Sequence, residues 1–349
     1  MKYLYTGWLA SYGTCETRRR ALVEMGREVL AISFTPDIDR LGRRFGNLQQ
    51  KIGFGPGIRA YNQRLLRAVA QFEPDVIWID KGTLVQPETL REMKRRTGAV
   101  LVHYNTDDLF HNHYWDLHLK GIPEYDCYIT TNGHNVEELR ALGARRVVHS
   151  ELGYDRDVFT PPRLSDDERT RLGAAIGFIG SWEPAKERWL GHIARAGLPL
   201  RVFGSMWQNC SDPVLAEAIG RPRPVLGADY VKAIAATQIN IGLVSEQNRS
   251  QSSGRSFEIP ACGGFLLALR TPEHVKLYDE GREIECFDSP EELVAKARHY
   301  LADPAACAAL AAAGRERCIR GGYSWQDRMR SLVADVEATV AHPVAVHAR

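Results

Sequence analysis

The chain has 349 residues, of which 44% are hydrophobic and 25% are charged, and its formal net charge is +2. The composition predicts a globular protein, and the length exceeds what one hydrophobic core usually serves, so we expect two domains with a cleft between them. The arginines are scattered rather than gathered into one long run, and the overall charge gives no reason to expect nucleic acid or an anionic membrane as a partner.

The cysteines and the N-terminus indicate the cellular compartment of the protein. The seven cysteines are odd in number and widely spaced, without a Cys-x-x-Cys pair, which favours reduced thiols in a cytoplasm. The first residues, MKYLYTGWLASYG, are too short and too polar for a signal peptide, and no later window approaches about 18 apolar residues. We therefore expect a soluble cytoplasmic protein, which could still touch a membrane surface.

In the first half of the chain, apolar runs of strand length alternate with helical patterns, as in a parallel sheet covered by helices on both faces. The predicted strands are KYLYTG, EVLAIS, DVIWID, AVLVHYNTDD, DCYITTN and RVVHSEL. The predicted helices are CETRRRALVEMG, GIRAYNQRLLRAVAQFEP, QPETLREMKRRTG and NVEELRALG. This order predicts an α/β, Rossmann-like domain over residues 1–157.

The alternation stops and then resumes. Residues 158–172 combine two consecutive prolines with a charged stretch, which is typical of an interdomain linker. A second Rossmann-like domain is predicted over residues 173–324, with the strands AAIGFIGS, PLRVFG, INIGLV and GFLLAL and with intervening and following helices. A last helix, predicted over residues 325–342, is long enough to pack back across the domain junction.

Ligands of open α/β sheets bind beyond the carboxyl ends of the strands, so the loops that follow strands are the candidate sites. The loop after the first strand, TGWLASYGT, does not match the Gly-x-Gly-x-x-Gly dinucleotide fingerprint, which disfavours a dehydrogenase. The loop HYNTDDLFHNHYWD is rich in acids and histidines. We predict His103, Asp107 and Asp108 as catalytic candidates, because a carboxylate or imidazole within hydrogen-bond reach of a hydroxyl can assist its attack.

Two other interpretations of this loop stay open. It could be an ordinary solvated and capped loop, or its His-x-His pair, His111 and His113, could hold a metal together with the acids. The metal is the weakest of the three interpretations, because alternation on a strand-like loop is poor evidence for a ligand set. We therefore predict no metal site.

In the second half, two strand-to-helix loops could bind a nucleotide. In GFIGSWEPAKER, backbone amides and nearby cations would suit a diphosphate, and in VFGSMWQN a base could lie against the loop. The alternative is a plain strand-turn-helix with a solvated basic face and a packed tryptophan. The predicted binding residues of the two loops are Gly180, Ser181, Lys186, Arg188, Gly204 and Trp207.

The segment SSGRSFEIPACGG is predicted to be a short helix whose N-terminus, near Ser252 and Ser253, faces the cleft. Arg255 in its first turn is unfavourable to the helix dipole, and an anion bound jointly by Arg255 and the free amides would resolve this conflict. Glu258, one turn further, could accept hydrogen bonds from a ribose diol. Together these residues predict a nucleoside diphosphate.

The same segment resembles a known family. Residues 255–317 resemble the glycosyltransferase domain of the spore-maturation-protein (CgeB-like) family, and PDVIWIDKG, FIGSW, VFGSMW and YSWQDRM are similar to it in order and spacing. Glu258 to Gly263 looks like the end of the Glu-x7-Glu motif of retaining glycosyltransferases with the GT-B fold. The first glutamate of that motif would fall at Ser250, so Glu246 and Gln247 are possible substitutes.

The resemblance implies a GT-B fold, with two facing Rossmann-like domains, the acceptor bound by the N-terminal one and the donor by the C-terminal one. It implies that Glu258 binds the donor ribose, and that Arg255 and the Gly180–Ser181 loop bind the diphosphate. The implied enzyme is a metal-independent, hexosyltransferase-like glycosyltransferase without a cofactor, which uses a UDP- or GDP-linked sugar as donor.

The acceptor could be a saccharide, a lipid-linked molecule or a protein, with possible peripheral membrane contact and no role for nucleic acid. If the reaction inverts the anomer, Asp107 or Asp108 would serve as the base, and if it retains the anomer, a base is less necessary. Two other functions stay open. One is a nucleotide-sugar epimerase on the same plan, and the other is a non-catalytic nucleotide-binding assembly protein.

Overall fold

The computed structural model describes residues 1–11, 13–111 and 116–341. The chain divides into two compact units. The first, unit 1, contains residues 1–151 and the C-terminal segment from Trp325 onward, and the second, unit 2, contains residues 152–324. Each unit is built on one parallel sheet, as the alternating sequence pattern predicts.

Unit 1 has a six-stranded parallel sheet in the order β2-β1-β3-β4-β5-β6. Its strands are β1 (Lys2–Gly7), β2 (Glu28–Ser33), β3 (Val76–Asp80), β4 (Val100–Asn105), β5 (Cys127–Thr130) and β6 (Val147–His149). The helices that lie between these strands along the chain are α1 (Thr14–Glu24), α2 (Thr35–Ile38), α3 (Arg43–Ile52), α4 (Pro56–Phe72), α5 (Pro87–Thr97), α6 (Asp116–Gly121) and α7 (Asn135–Ala141). Every residue of β3 is buried, as expected of a central strand covered on both faces.

Unit 2 has a five-stranded parallel sheet in the order β11-β10-β9-β7-β8. Its strands are β7 (Ala174–Ile179), β8 (Leu200–Phe203), β9 (Thr237–Gly242), β10 (Leu266–Leu269) and β11 (Glu285–Phe287). Its helices are α8 (Asp166–Leu172), α9 (Pro184–Arg195), α10 (Pro213–Ile219), α11 (Ala228–Ala236), α12 (Arg255–Ala261), α13 (Pro272–Leu277), α14 (Pro290–Ala302) and α15 (Pro304–Arg320).

The strand order of unit 2 determines where its candidate site lies. The chain runs outward from β7 to β8 and then returns to β9 on the other side of β7, so the strand order reverses between β7 and β9. At such a reversal, the loops leaving the two strands diverge and open a crevice at the carboxyl edge of the sheet. The loop after β7 and the loop after β9 therefore face each other across this crevice.

The last helix, α16 (Trp325–Ala341), returns to the first unit. It packs against α1 and β4. Glu337 of α16 accepts hydrogen bonds from Arg27 at 2.6 Å and from the Tyr3 hydroxyl at 2.9 Å, so the start of the chain is tied to its last helix. Within the described residues, no helix combines the length and the apolar character that crossing a bilayer requires.

The structure contains several elements that the sequence patterns did not predict. Helices α2, α3, α6 and α10 and strand β11 were left as connecting segments. Strand β11 has only three residues, too few for a periodicity to be visible. The segment 158–172, predicted as a linker, contains α8, which has a capping box formed by Ser165 and Glu168 and lies within unit 2.

Candidate functional site

The loops after β7 and β8 are joined by hydrogen bonds. The Gly180 amide donates to the last backbone oxygen of β8 at 2.8 Å, and the Trp207 indole N–H donates to the Gly180 oxygen at 2.9 Å. A Cβ at Gly204 would overlap the Gly180 oxygen, so the close approach requires glycine there. The hydroxyls of Ser181 and Ser205 lie 2.8 Å apart and are exposed.

This geometry corrects two predicted roles. The Gly180 amide is used inside the sheet edge and is not available to a phosphate. Trp207 is 4% exposed and packs edge-on against Phe178, so it supports the loop from within and offers no open face for a base. The Ser181 hydroxyl, in contrast, remains accessible.

Lys186 takes part in a polar network that joins the loops after β7 and β9. It is buried, forms an ion pair with Glu183, and lies 3.4 Å from the Ser181 oxygen. Ser245 donates to the other oxygen of the Glu183 carboxylate at 2.9 Å. Burial lowers the pKa of Lys186, against the opposing effect of Glu183. The network therefore holds one cation at the carboxyl edge between the two loops.

Arg188 extends from the same helix toward the loop after β9. Its guanidinium contacts both carboxylate oxygens of Glu246 at 3.0 Å, and both side chains are largely exposed. A surface pair of this kind contributes little to stability. Arg188 is therefore available to exchange Glu246 for an anionic ligand at small cost.

Arg255, Glu258 and Tyr230 form a second cluster at this edge. The Tyr230 hydroxyl donates to Glu258 Oε2 at 2.5 Å, and a Cβ at Gly254 would lie 3.0 Å from Glu258 Oε1. Burial raises the pKa of Glu258, while Arg255 and Tyr230 oppose this rise. Desolvation alone would lower the pKa of Arg255, but Tyr230 and Glu258 raise it overall, so the guanidinium keeps its charge.

The start of α12 differs from the predicted anion site. The Ser253 amide donates to the Ser256 hydroxyl at 3.0 Å, and the amides of Phe257 and Glu258 donate to the Gly254 oxygen. The amides of Ser253, Ser256, Phe257 and Glu258 are therefore already satisfied, and α12 has only seven residues. The Ser253 amide is therefore not available to an anion, and the Arg255 side chain is the cation that this segment offers.

Ser250, where the resemblance calls for a glutamate, lies in a tight turn of the loop after β9. Its amide donates to the Ser245 oxygen at 2.9 Å, and Arg249 beside it has a left-handed backbone, with φ of 44°. Glu246, a possible substitute, pairs with Arg188 as described. The carboxylate that the loops hold in a partly buried position is Glu183, which the sequence patterns did not single out.

In unit 1, two of the predicted catalytic residues are inaccessible. His103 is fully buried, with its ring 4.5 Å from that of Tyr128 and 4.7 Å from that of His118, and burial lowers its pKa well below the usual range. Asp108 is also fully buried and accepts a hydrogen bond from the side-chain Nδ2 of Asn135 at 3.1 Å. Neither side chain can reach a substrate hydroxyl from these positions, because a general base must contact the proton that it accepts.

Asp107, in contrast, is accessible. Its carboxylate is 35% exposed and forms an ion pair with Lys81 at 3.3 Å. His111 is exposed, whereas His113 lies outside the described residues. In the described ranges, no three His, Cys, Asp or Glu side chains are grouped so that they could hold a metal ion. Asp107 therefore remains the candidate base.

A buried ion pair lies at the carboxyl ends of β1 and β3. Arg18 donates to Asp80 through two nitrogens, at 2.7 and 2.9 Å, and both side chains are fully buried. The guanidinium also lies between the rings of Tyr104 and Trp325, at 4.4 and 4.6 Å from their centres. With no exposed surface, this pair supports the structure and anchors the start of α16.

Two cavities lie away from these clusters. One, of about 240 Å³, follows β1 and β2 in unit 1 and is lined by Trp8, Phe34, Arg43 and Asn47 among others. The other, of about 530 Å³, is lined by Ala174 and Thr237 and so lies at the amino-terminal ends of β7 and β9. The second cavity is on the wrong edge of its sheet for a nucleotide, because ligands of such sheets bind at the carboxyl ends of the strands.

Comparison with known proteins bears on the fold and on the C-terminal half. Residues 183–334, less than half of the chain, match the family described as Glycosyl transferase-like. No curated protein sequence matches the chain. The matched segment contains both side-chain clusters of unit 2, and the predicted likeness to a glycosyltransferase is confirmed for it. The narrower CgeB-like resemblance stays a prediction.

Solved structures resemble the chain over nearly its whole length. Sucrose-phosphate synthase from Thermosynechococcus elongatus superposes with a TM-score of 0.71 at 13% identity, over 98% of this chain and 99% of that one. HepE from Anabaena, solved in complex with UDP and glucose, gives 0.67 at 13% identity, over 97% and 100%. A glycosyltransferase from Rickettsia africae gives 0.66 at 14% identity, over 98% of each chain. At these identities the likeness shows the fold, which is GT-B, with two Rossmann-like domains.

Proposed function

We propose that the protein is a glycosyltransferase that moves a sugar from a UDP-sugar to an acceptor hydroxyl, with the donor nucleotide bound by unit 2. The observation that carries this proposal is the Arg255–Tyr230–Glu258 cluster, which lies beside the switch point of the sheet and within the segment matched by the glycosyl-transferase-like family. Support for UDP comes from HepE, which was solved with UDP and glucose.

The proposed roles follow from charge and exposure. Glu258 is held by Tyr230 through one carboxylate oxygen, which leaves the other to accept from ribose hydroxyls. Arg255, which is half-buried, keeps its charge and supplies the cation for the diphosphate. Lys186 contributes a second positive charge, and Ser181 a hydroxyl, from the loop after β7.

In the proposed reaction, the acceptor oxygen forms a bond to the anomeric carbon of the donor sugar. The bond between that carbon and the diphosphate oxygen breaks, and its electron pair leaves on UDP. The cationic groups stabilise the charge that develops on the diphosphate, a task that side chains can perform without a metal. The acceptor hydroxyl loses its proton, and Asp107 is the proposed base for an inverting outcome.

The acceptor is proposed to bind unit 1. Its cavity after β1 and β2 offers the aromatic side chains Trp8 and Phe34 next to Arg43 and Asn47. Aromatic faces beside hydrogen-bonding side chains suit a hydroxylated, ring-shaped acceptor such as a hexose. A saccharide acceptor consists of such rings, and a lipid-linked or protein acceptor carries one where it is already glycosylated.

The proposal is tested by titrating the purified chain with UDP, UDP-glucose, UDP-galactose, GDP and GDP-mannose in a calorimeter. We expect UDP and at least one UDP-sugar to bind, with the binding weakened in Arg255→Gln and unchanged in Glu291→Gln, an exposed carboxylate on α14. Bound donor is then incubated with a panel of saccharide and lipid-linked acceptors. Absence of nucleotide binding would refute the proposal, and an epimerised free sugar detected by NMR would identify an epimerase instead.

A further inference from the structure

Helix α3 of unit 1 is attached to the protein by its polar face. Its buried residues are Gly46 and Gln49. The Gln49 side chain donates to the Ile38 oxygen at 3.2 Å and accepts from the Gly57 amide at 2.7 Å, so hydrogen bonds of a buried glutamine help to hold the helix. Surface helices of globular proteins normally bury their apolar side and expose their polar side. In α3 this arrangement is inverted.

The outward side of α3 is apolar. Phe45, Leu48 and Ile52 are spaced three and four residues apart, which places them on one face of the helix. They are 38%, 50% and 59% exposed, and Leu41 and Phe54, just before and after the helix, are 64% and 47% exposed. We call these five side chains the α3 outer face. A cluster of exposed large apolar side chains marks an interaction site.

Cations flank the α3 outer face. Arg40, Arg43, Arg44 and Lys51 are all exposed, and none of them forms an ion pair with any described residue. Elsewhere on unit 1, exposed arginines such as those of α5 are paired with glutamates. The unpaired charges around the α3 outer face therefore add up to a local positive potential, although the whole chain carries a formal charge of only +2.

The charges around the α3 outer face indicate which partner binds there. A second copy bound symmetrically would place the same patch against itself, which opposes like charges across the contact. An anionic lipid bilayer instead offers hydrocarbon to the apolar side chains and phosphates to the cations. A ten-residue helix spans roughly 15 Å and can lie flat in the headgroup region with one face immersed.

We propose that the α3 outer face and its flanking cations dock unit 1 onto an anionic lipid bilayer as a peripheral contact. This inference does not rest on the proposed sugar transfer, because neither the apolar residues nor Arg44 and Lys51 belong to the clusters of unit 2. The two can therefore fail separately, and lipid binding is measured without nucleotide or acceptor.

The test is cosedimentation of the full chain with sucrose-loaded vesicles. Vesicles of phosphatidylcholine mixed with phosphatidylglycerol are compared with vesicles of phosphatidylcholine alone, at low and high salt. We expect binding to the mixed vesicles that weakens with salt. Leu48→Gln is expected to lower the partition coefficient about tenfold. The double variant Arg44→Gln with Lys51→Gln is expected to lower it about 25-fold, from about fivefold for each charge.

Matched controls change exposed residues of the same types elsewhere. Arg67→Gln removes an exposed cation on α4 that forms no ion pair within the described part of the chain, and Leu226→Gln removes an apolar side chain that is 65% exposed in unit 2. Both controls are expected to bind vesicles like the wild type. A Phe45→Trp variant reports insertion directly, because its added fluorescence should shift to shorter wavelength with mixed vesicles.

Several outcomes would overturn the proposal. One is binding to phosphatidylcholine alone as strongly as to mixed vesicles, and another is equal loss of binding in the controls and the α3 variants. A dimer in solution that light scattering detects and Leu48→Gln dissociates would assign the face to a second copy. Circular dichroism of each variant establishes that the fold is retained, so an absence of binding by folded wild-type protein is also decisive.

Discussion

Replacing Glu258 by glutamine removes the charge of the proposed ribose acceptor and keeps its shape. The glutamine carbonyl can still accept from Tyr230, whose hydroxyl lies 2.5 Å from the present carboxylate, so the local packing should survive. A hydrogen bond to a charged group contributes about 1.5–3 kcal/mol, so the ribose contact should account for roughly 10- to 150-fold in affinity.

A second effect of the same change acts in the opposite direction. In the wild type, Glu258 partly offsets the charge of Arg255. The two side chains attract each other, so Glu258 raises the pKa of Arg255 and Arg255 lowers the pKa of Glu258. Without the carboxylate, Arg255 would attract a diphosphate more strongly. The loss of affinity should therefore be largest for uridine, smaller for UMP and smallest for UDP.

Calorimetric titration of wild type and Glu258→Gln with uridine, UMP, UDP and the 2′- and 3′-deoxy forms of UDP measures both effects. A deoxy ligand should bind the wild type more weakly than UDP does, and the variant should no longer distinguish the two. Glu291→Gln serves as the matched control, because its carboxylate is exposed on α14. The same penalty for the deoxy sugars in wild type and variant would refute the ribose role of Glu258.

Three further predictions concern stability. Asp80→Asn should cost about 3–5 kcal/mol in urea unfolding, because it leaves the fully buried Arg18 without its counter-charge. Gly204→Ala should cost about 1–3 kcal/mol through overlap with a neighbouring backbone oxygen, whereas Gly133→Ala, whose added Cβ meets only ordinary contacts, should stay within about 1 kcal/mol of wild type. Burial lowers the pKa of His118 to about 4, so as the pH is lowered the unfolded chain binds a proton at this histidine before the folded chain does. Stability should then fall by roughly 2 kcal/mol between about pH 6.5 and pH 5, and His118→Gln should reduce this fall.

The periodicity of the sequence was sufficient for most of the parallel strands. Runs such as VIWID are apolar throughout because β3 is covered on both faces, and such runs are visible without any tertiary information. Helix α3 escaped prediction because its inner face consists of Gly46 and Gln49, which leave no inward apolar stripe to detect. Its packing depends on hydrogen bonds to residues 38 and 57, which no local pattern shows.

The candidate site was predictable in its location and less so in its details. Arg255 and Glu258 were found because both charges directly precede a buried strand. Tyr230 was missed because it lies 28 residues earlier on α11, and only the folded chain brings its hydroxyl to the Glu258 carboxylate. His103 was predicted as accessible because it borders an acidic loop, yet the last residues of β4 are still inside the sheet.

The sequence by itself determined the two α/β domains and the edge of each sheet where ligands bind, because hydrophobic period and strand-loop order are properties of neighbouring residues. The tertiary structure decided which side chains are exposed and which groups they contact. It satisfied the Ser253 amide before α12, buried two of three catalytic candidates and turned the apolar side of α3 outward. These outcomes depend on contacts between residues that are far apart in the chain, and a local sequence pattern does not show which of these residues meet.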